Sequence, residues 1–301
     1  MPQKLRIATW SFLLVLAGGL AWYVVSQQTA HPLSPEPIVE RSHPERSVVP
    51  STQRSYPQSS AHSYLWSLAD SKSARTKFSE LRSRAEAGDA VAQRDLAELY
   101  QRCSSFSISP SNMYAMLDAY ARIRGVAESS YDDIKKRFST TCSALDGGEV
   151  IPEEAYTGWF QRAAHQGDAY SKVALASKSW SDLKDEEYKD LARDVVNSAD
   201  PEAIFALGDL LALAPESSDL SEFKSISTGP YANYAWGIAA CRMGADCGPA
   251  SYRTDSLCVN TGMCGNGNFE ETIRTHAVPA GQQDSLDKAI REVLKVVDKK
   301  P

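Results

Sequence analysis

Histidine is almost missing from this chain. Five occur in 301 residues, and three of them, His31, His43 and His62, fall in a proline-rich stretch near the N-terminus. That leaves His165, at what reads as a polar helix end suited to solvation or capping, and His276, which has no recognisable chemical neighbours. Also missing are Ser-centred nucleophile motifs, glycine-rich phosphate loops and His-Glu metal spacings, so no cofactor or metal is expected and catalysis has no recognisable carrier. The acidic groups Glu153-Glu154 and Asp185-Glu186-Glu187 read as helix starts rather than as a glycosidase pair.

An excess of positive charge is absent as well. The formal charge of −6 includes the two positive charges of Lys4 and Arg6, so the chain beyond residue 25 carries −8. An acidic body repels phosphate backbones, which excludes nucleic acid as the main partner.

Long apolar runs are lacking except for one. Ile7 to Val25 holds no charge and is close to the roughly 20 residues a helix needs to span hydrocarbon. Lys4 and Arg6 before it keep the N-terminus cytoplasmic, and Trp22 and Tyr23 suit the far interface. Residues 1–25 therefore read as a signal anchor in the inner membrane, single-pass, with the body exported. The rival is a cleaved secretory signal, for which Gly19 and Ala21 supply small residues.

Residues 26–63 combine Pro32, Pro35, Pro37, Pro44, Pro50 and Pro57 with Ser, Gln and Thr, the composition of a disordered stalk. From Tyr64 onward no segment alternates like a strand, and apolar residues recur at spacings of three and four. Met113, Met116, Leu117, Tyr120 and Ile123 form one such stripe, and Tyr188, Leu191, Ala192, Val195 and Val196 another; each needs a neighbouring helix to cover it. Trp66, Trp159, Trp180 and Trp236 read first as core and second as a binding groove.

Six cysteines, all downstream of the export segment, fit an oxidising compartment. Cys103 and Cys142 sit at predicted helix ends and either pair or remain as two buried thiols. Cys241, Cys247, Cys258 and Cys264 are spaced more widely within each pair than structural zinc usually requires, so disulfides are favoured; four cysteines allow three pairings.

A short pattern recurs through the helical part. Gly88-Asp89-Ala90-Val91-Ala92-Gln93-Arg94-Asp95-Leu96-Ala97-Glu98-Leu99-Tyr100 has a partner in Gly167-Asp168-Ala169-Tyr170-Ser171 with Leu175-Ala176, and a third copy starts at Ala199-Asp200-Pro201-Glu202-Ala203. The Gly ends one helix in a left-handed turn and the Asp caps the next. With Trp159-Phe160-Gln161-Arg162-Ala163-Ala164-His165-Gln166 leading into the second copy, residues 75–213 resemble the Sel-like repeats of the tetratricopeptide superfamily. The run Gln101 to Ser107 departs from the family by standing where a glycine-rich loop belongs.

The resemblance implies an all-α fold with a short α-solenoid of helical hairpins, placed in residues 64–230; the four later cysteines, following the helical stretch Tyr234 to Cys241, read as a cysteine-stapled helical cap over residues 231–301. The resemblance also implies an interaction scaffold binding a protein or peptide partner in the envelope of a Gram-negative bacterium, the body lying in the periplasm. An envelope enzyme acting on peptidoglycan, or an inhibitor or immunity-like protein using the cysteine-bounded loops, is the alternative. On the scaffold reading, Gln93, Lys172 and Glu202 point away from the core and contact the partner.

Overall fold

The structure, a computed structural model, describes Trp66 and residues 70–298, which all belong to the unit Ser55–Pro301. The expected anchor at residues 7–25 and the stalk at residues 26–63 lie outside the described residues. Among the described residues no helix is long and apolar enough to cross a membrane. Regular structure there is entirely helical, with thirteen α-helices and no strand.

The recurring sequence pattern builds a recurring joint. Helix α1 (Ser71–Glu86) passes to α2 (Ala90–Ile108) through Gly88 at φ +92°, and α5 (Glu153–His165) passes to α6 (Ala169–Ser177) through Gly167 at the same φ of +92°. Asp89 N–H donates to the Arg84 carbonyl and Asp168 N–H to the Ala163 carbonyl, each at 3.1 Å. The Asp89 carboxylate then accepts from Ala92 N–H at 3.1 Å, and that of Asp168 from Ser171 N–H at 2.7 Å, satisfying amides that a helix start leaves open. Between α7 (Asp185–Ser198) and α8 (Pro201–Leu213) the glycine is replaced by Ala199 at φ +51°, with Asp200 capping Glu202 N–H at 2.9 Å.

Helix α2 is buried without a break from Ala92 to Tyr100. It packs on α1 and, most extensively, on α5; α3 (Pro110–Arg124) and α4 (Asp132–Cys142) cover it further. It also continues to Ile108, so the run Gln101 to Ser107 is helical rather than a loop. Packing proceeds from α5 to α6, α6 to α8, and α8 to α10 (Ala232–Met243), which rests on α13 (Gln283–Val297); the short α9 (Lys224–Ser227) touches α8, α10 and α13. At the crossing of α8 and α10, a Cβ on Gly208 would come within 2.3 Å of the Trp236 Cβ, so only glycine allows that approach.

No break in the core falls at the expected boundary of 230/231, because Trp236 is wholly buried against α8. One cluster of buried apolar residues runs from Ala169 to Val297, and the other from Trp66 to Ile151 with Cys258 added. That addition is made by α11 (Tyr252–Thr261), which turns back onto α3, while α12 (Phe269–His276) packs on α10. Tyr131 Oη donates to the Cys258 carbonyl at 3.0 Å. Asp255 accepts Trp66 Nε1 at 2.8 Å and a two-pronged guanidinium from Arg137 at 2.7 and 2.6 Å.

All six cysteines are paired. Cys103–Cys142 joins α2 to α4 across 39 residues, a closure that constrains the unfolded chain by about 4 kcal/mol. Cys241–Cys247 and Cys258–Cys264 each span six residues and constrain it by about 2 kcal/mol each, so the C-terminal four take the local pairing among their three options. The Tyr188 stripe is covered as expected, with Tyr188, Ala192 and Val195 fully buried. The α3 stripe is not: Leu117 is buried, but Met116, Tyr120 and Ile123 face solvent. Trp66 matches Trp236 in full burial, whereas Trp180 is exposed.

These joints make opposite predictions for two small substitutions. Gly167→Ala forces a Cβ onto a backbone at φ +92° and is expected to lower unfolding free energy by about 1–2 kcal/mol. Ala199→Gly relieves the same kind of strain and is expected to leave stability unchanged or raise it by up to about 1 kcal/mol; urea denaturation of the two variants checks both signs.

Candidate functional site

Positions 94, 98 and 102 of α2 share one face at a spacing of four residues. That face is buried, yet each position carries a charge, and each charge is met by a partner from another helix or from the next turn. Arg94 contacts Asp95 at 3.3 Å and Asp168 at 3.4 Å and pairs closely with Asp200. Asp168 and Asp200 are the caps of α6 and α8, so one guanidinium holds the starts of two later helices. Burial pushes the Asp168 carboxyl above its ordinary range even with Arg94 beside it.

One turn further along, Glu98 accepts from Arg102 at 2.7 Å and from Tyr170 Oη on α6 at 2.5 Å. Arg102 lies over the Tyr252 ring at 4.2 Å. Burial first, and the Glu98 charge second, push the Tyr170 phenol well above its usual value, so it acts as a donor.

Helix α8 presents Glu202, Phe205, Ala206 and Asp209 to the same side, again at helical spacing. Glu202 pairs with Arg253 of α11, which also donates to the Asp246 carbonyl at 3.0 Å and lies over the Phe205 ring at 4.1 Å. Burial works against the Arg253 charge, but Glu202 more than restores it, and its pKa stands above the ordinary value.

These faces enclose a cavity of about 340 Å³ between α2, α6, α8, α10 and α11, walled on its apolar side by Phe205, Tyr234 and Phe269. A second cavity of about 210 Å³ lies across α11, lined by Met113, Met116 and Phe138 among others; Tyr252, Ser256 and Asn260 border both. Asp209 is the odd member of the first. Its side chain is exposed to the water of the cavity, and no hydrogen bond reaches its carboxylate from the described residues. The protein packed around the cavity still disfavours its charged form and pushes its pKa up to about 6, against the pull of Arg253.

The residues chosen from sequence as partner contacts sit differently from expectation. Gln93 is 5% exposed, donating to the Ala85 carbonyl at 3.0 Å and accepting from Gln166 at 2.7 Å; Glu202 is 4% exposed and committed to Arg253. Both are interior, because α2 is covered on every side from Ala92 to Tyr100 and α11 folds over the start of α8. Lys172 alone is accessible, paired with Asp194 at 2.6 Å beside α7. His165 is exposed at the end of α5 and His276 at the end of α12; neither lines the cavity. Among the described residues no cluster of His, Cys, Asp and Glu is arranged to hold a metal.

Sequence reasoning passed over Glu98, Arg102, Asp209 and Arg253. The four-residue recurrence of charge at 94, 98 and 102 was the available signal, but it is equally the pattern of a solvated helix face. No family model, curated protein or solved structure matches this chain.

Two substitutions are expected to move stability in opposite directions. Arg94→Met strands buried carboxylates and is expected to cost about 3 kcal/mol or more. For Asp209, the folded protein keeps its proton up to about pH 6 while an unfolded chain loses it near 3.8, so stability falls as pH rises through that window. Asp209→Asn is therefore expected to be more stable than the parent at pH 7, by about 1 kcal/mol once water access is allowed for, and equal to it below pH 4. Thermal melts from pH 3.5 to 7.5 read both effects.

Proposed function

We propose that this protein is an extracytoplasmic helical-repeat scaffold of the Sel-like kind, anchored in the inner membrane through residues 7–25, that binds a partner protein. The helices that follow the recurring Gly-Asp joint, α2, α6 and α8, are the inner helices of a short α-solenoid, and the partner inserts a segment where their faces meet. The observation that carries the reading is the convergence of these three equivalent helices on one cavity. Three disulfides support an oxidising compartment such as the periplasm. The charges lining the cavity are largely paired within the protein, which suits a preformed receptor site.

A second reading, an envelope enzyme acting on peptidoglycan, has one observation in its favour. Glu98 and Asp209 line the same cavity in unlike surroundings, the first held by Arg102 and Tyr170, the second unbonded and raised to about 6. Two carboxyls set apart by their environments are what acid–base hydrolysis of a glycoside requires.

The two readings part in one experiment. A photo-crosslinking residue placed at Asn233, on the cavity rim, is expected to trap a discrete protein in intact cells. The same residue at Arg193, on α7 outside the cavity, is expected to trap none. An alkaline phosphatase fusion after Pro301 is expected to be active, as export requires. Release of soluble fragments from peptidoglycan by the purified protein, lost in Asp209→Asn, would put the enzyme in place of the scaffold.

A further inference from the structure

The cavity has a charge imbalance that its own residues do not cancel. Arg102 is answered by Glu98 and Arg253 by Glu202, each at close range and each guanidinium stacked on an aromatic ring. Asp209 is left over as one negative charge with no hydrogen bond from the described residues. It stands on α8 one turn beyond Phe205, with Tyr234 and Phe269 among the apolar walls. At about 340 Å³ the space lies near the small end of ligand sites, which run from about 300 to 1,000 Å³, and suits one long side chain rather than a large cofactor.

A water-exposed carboxylate with no donor from the described residues, in a cavity bordered by rings, matches a group that is cationic at its tip and apolar along its stem. Lysine and arginine side chains have that form, and aromatic faces attract such cations in addition to covering their methylenes. A ligand carboxylate would face the unpaired Asp209 and would have to draw Arg102 or Arg253 away from its existing partner.

Resting on the scaffold reading above, we propose that this cavity receives a lysine or arginine side chain of the partner protein, with Asp209 as its counter-ion and Phe205, Tyr234 and Phe269 as its apolar sleeve. Arg102 and Arg253 act as positioning residues: paired to Glu98 and Glu202, they fix the walls without neutralising Asp209. The other groups facing Asp209 across the cavity are the phenols of Tyr170, Tyr234 and Tyr252. Tyr170 stays protonated well above neutrality, so the charge change that governs occupancy near neutral pH is that of Asp209 itself.

The test uses n-butylammonium and n-butylguanidinium as side-chain probes, with butyrate and n-butanol as controls, followed by NMR titration of the folded protein. Saturable shifts confined to α8, α10 and α11 are expected for the two cations and not for the controls. Asp209→Asn is expected to weaken them at least tenfold, whereas Asp209→Glu retains them. Affinity is expected to fall roughly tenfold from pH 7 to pH 5 as Asp209 takes up its proton.

Tighter binding of butyrate than of either cation, or equal binding to the parent and Asp209→Asn, overturns the proposal. The crosslink at Asn233 separates its failure from that of the scaffold reading. A protein still trapped by Asp209→Asn leaves the scaffold standing and removes the cation site. Probe binding in a protein that traps nothing at Asn233 retains a site for cations but removes its assignment to a protein partner.

Discussion

Arg94 sits where three helix starts come together, and the order of the helices depends on it. Its guanidinium is almost fully buried, and it reaches carboxylates 74 and 106 residues away that are themselves capping α6 and α8. Each of those caps is therefore doubly engaged: its oxygens accept from the helix amides on one side and from Arg94 on the other. A cap by itself fixes only where a helix begins. Sharing one cation among caps also fixes where each helix begins relative to the others, which sets the faces of α2, α6 and α8 in register around the cavity.

The far end of the chain supplies the remaining wall. Helix α11 is held by Asp255 to Trp66 and Arg137, by its Cys258 carbonyl to Tyr131, and by Arg253 to the first turn of α8. Its two ends are each close to a disulfide, Cys241–Cys247 before it and Cys258–Cys264 at its end. The cysteines thus stiffen the segment that brings residues from both ends of the described chain into contact. Hydrophobic burial does the bulk of the work in both core clusters, and the polar ties choose which surfaces meet.

How much of this was legible in the sequence depended on whether the signal was local. The glycine-aspartate joint was, because a positive φ and a cap involve neighbours in the chain, and Gly88 and Gly167 take the same backbone angle. The helical class followed from spacing, whereas the pairing of Cys103 with Cys142, left open between a disulfide and two buried thiols, is decided by the structure. What stayed hidden was long-range. Gln93 and Glu202 looked like solvent-facing residues because polar side chains usually are, and only the cover of α5, α10 and α11 turns them inward. Asp209 looked equally ordinary, and nothing near it in sequence announces that Arg253 will arrive from α11. The exposed Met116, Tyr120 and Ile123 show the converse, an apolar stripe with the right period that the described residues leave uncovered.

Because Tyr252, Ser256 and Asn260 recur at intervals of four along α11, the same helix forms a partition with a hollow on either side. Asp255 lines the second of these hollows and is itself tied to Trp66 and Arg137, so the contacts that hold the helix in place also fix a wall that the two hollows share.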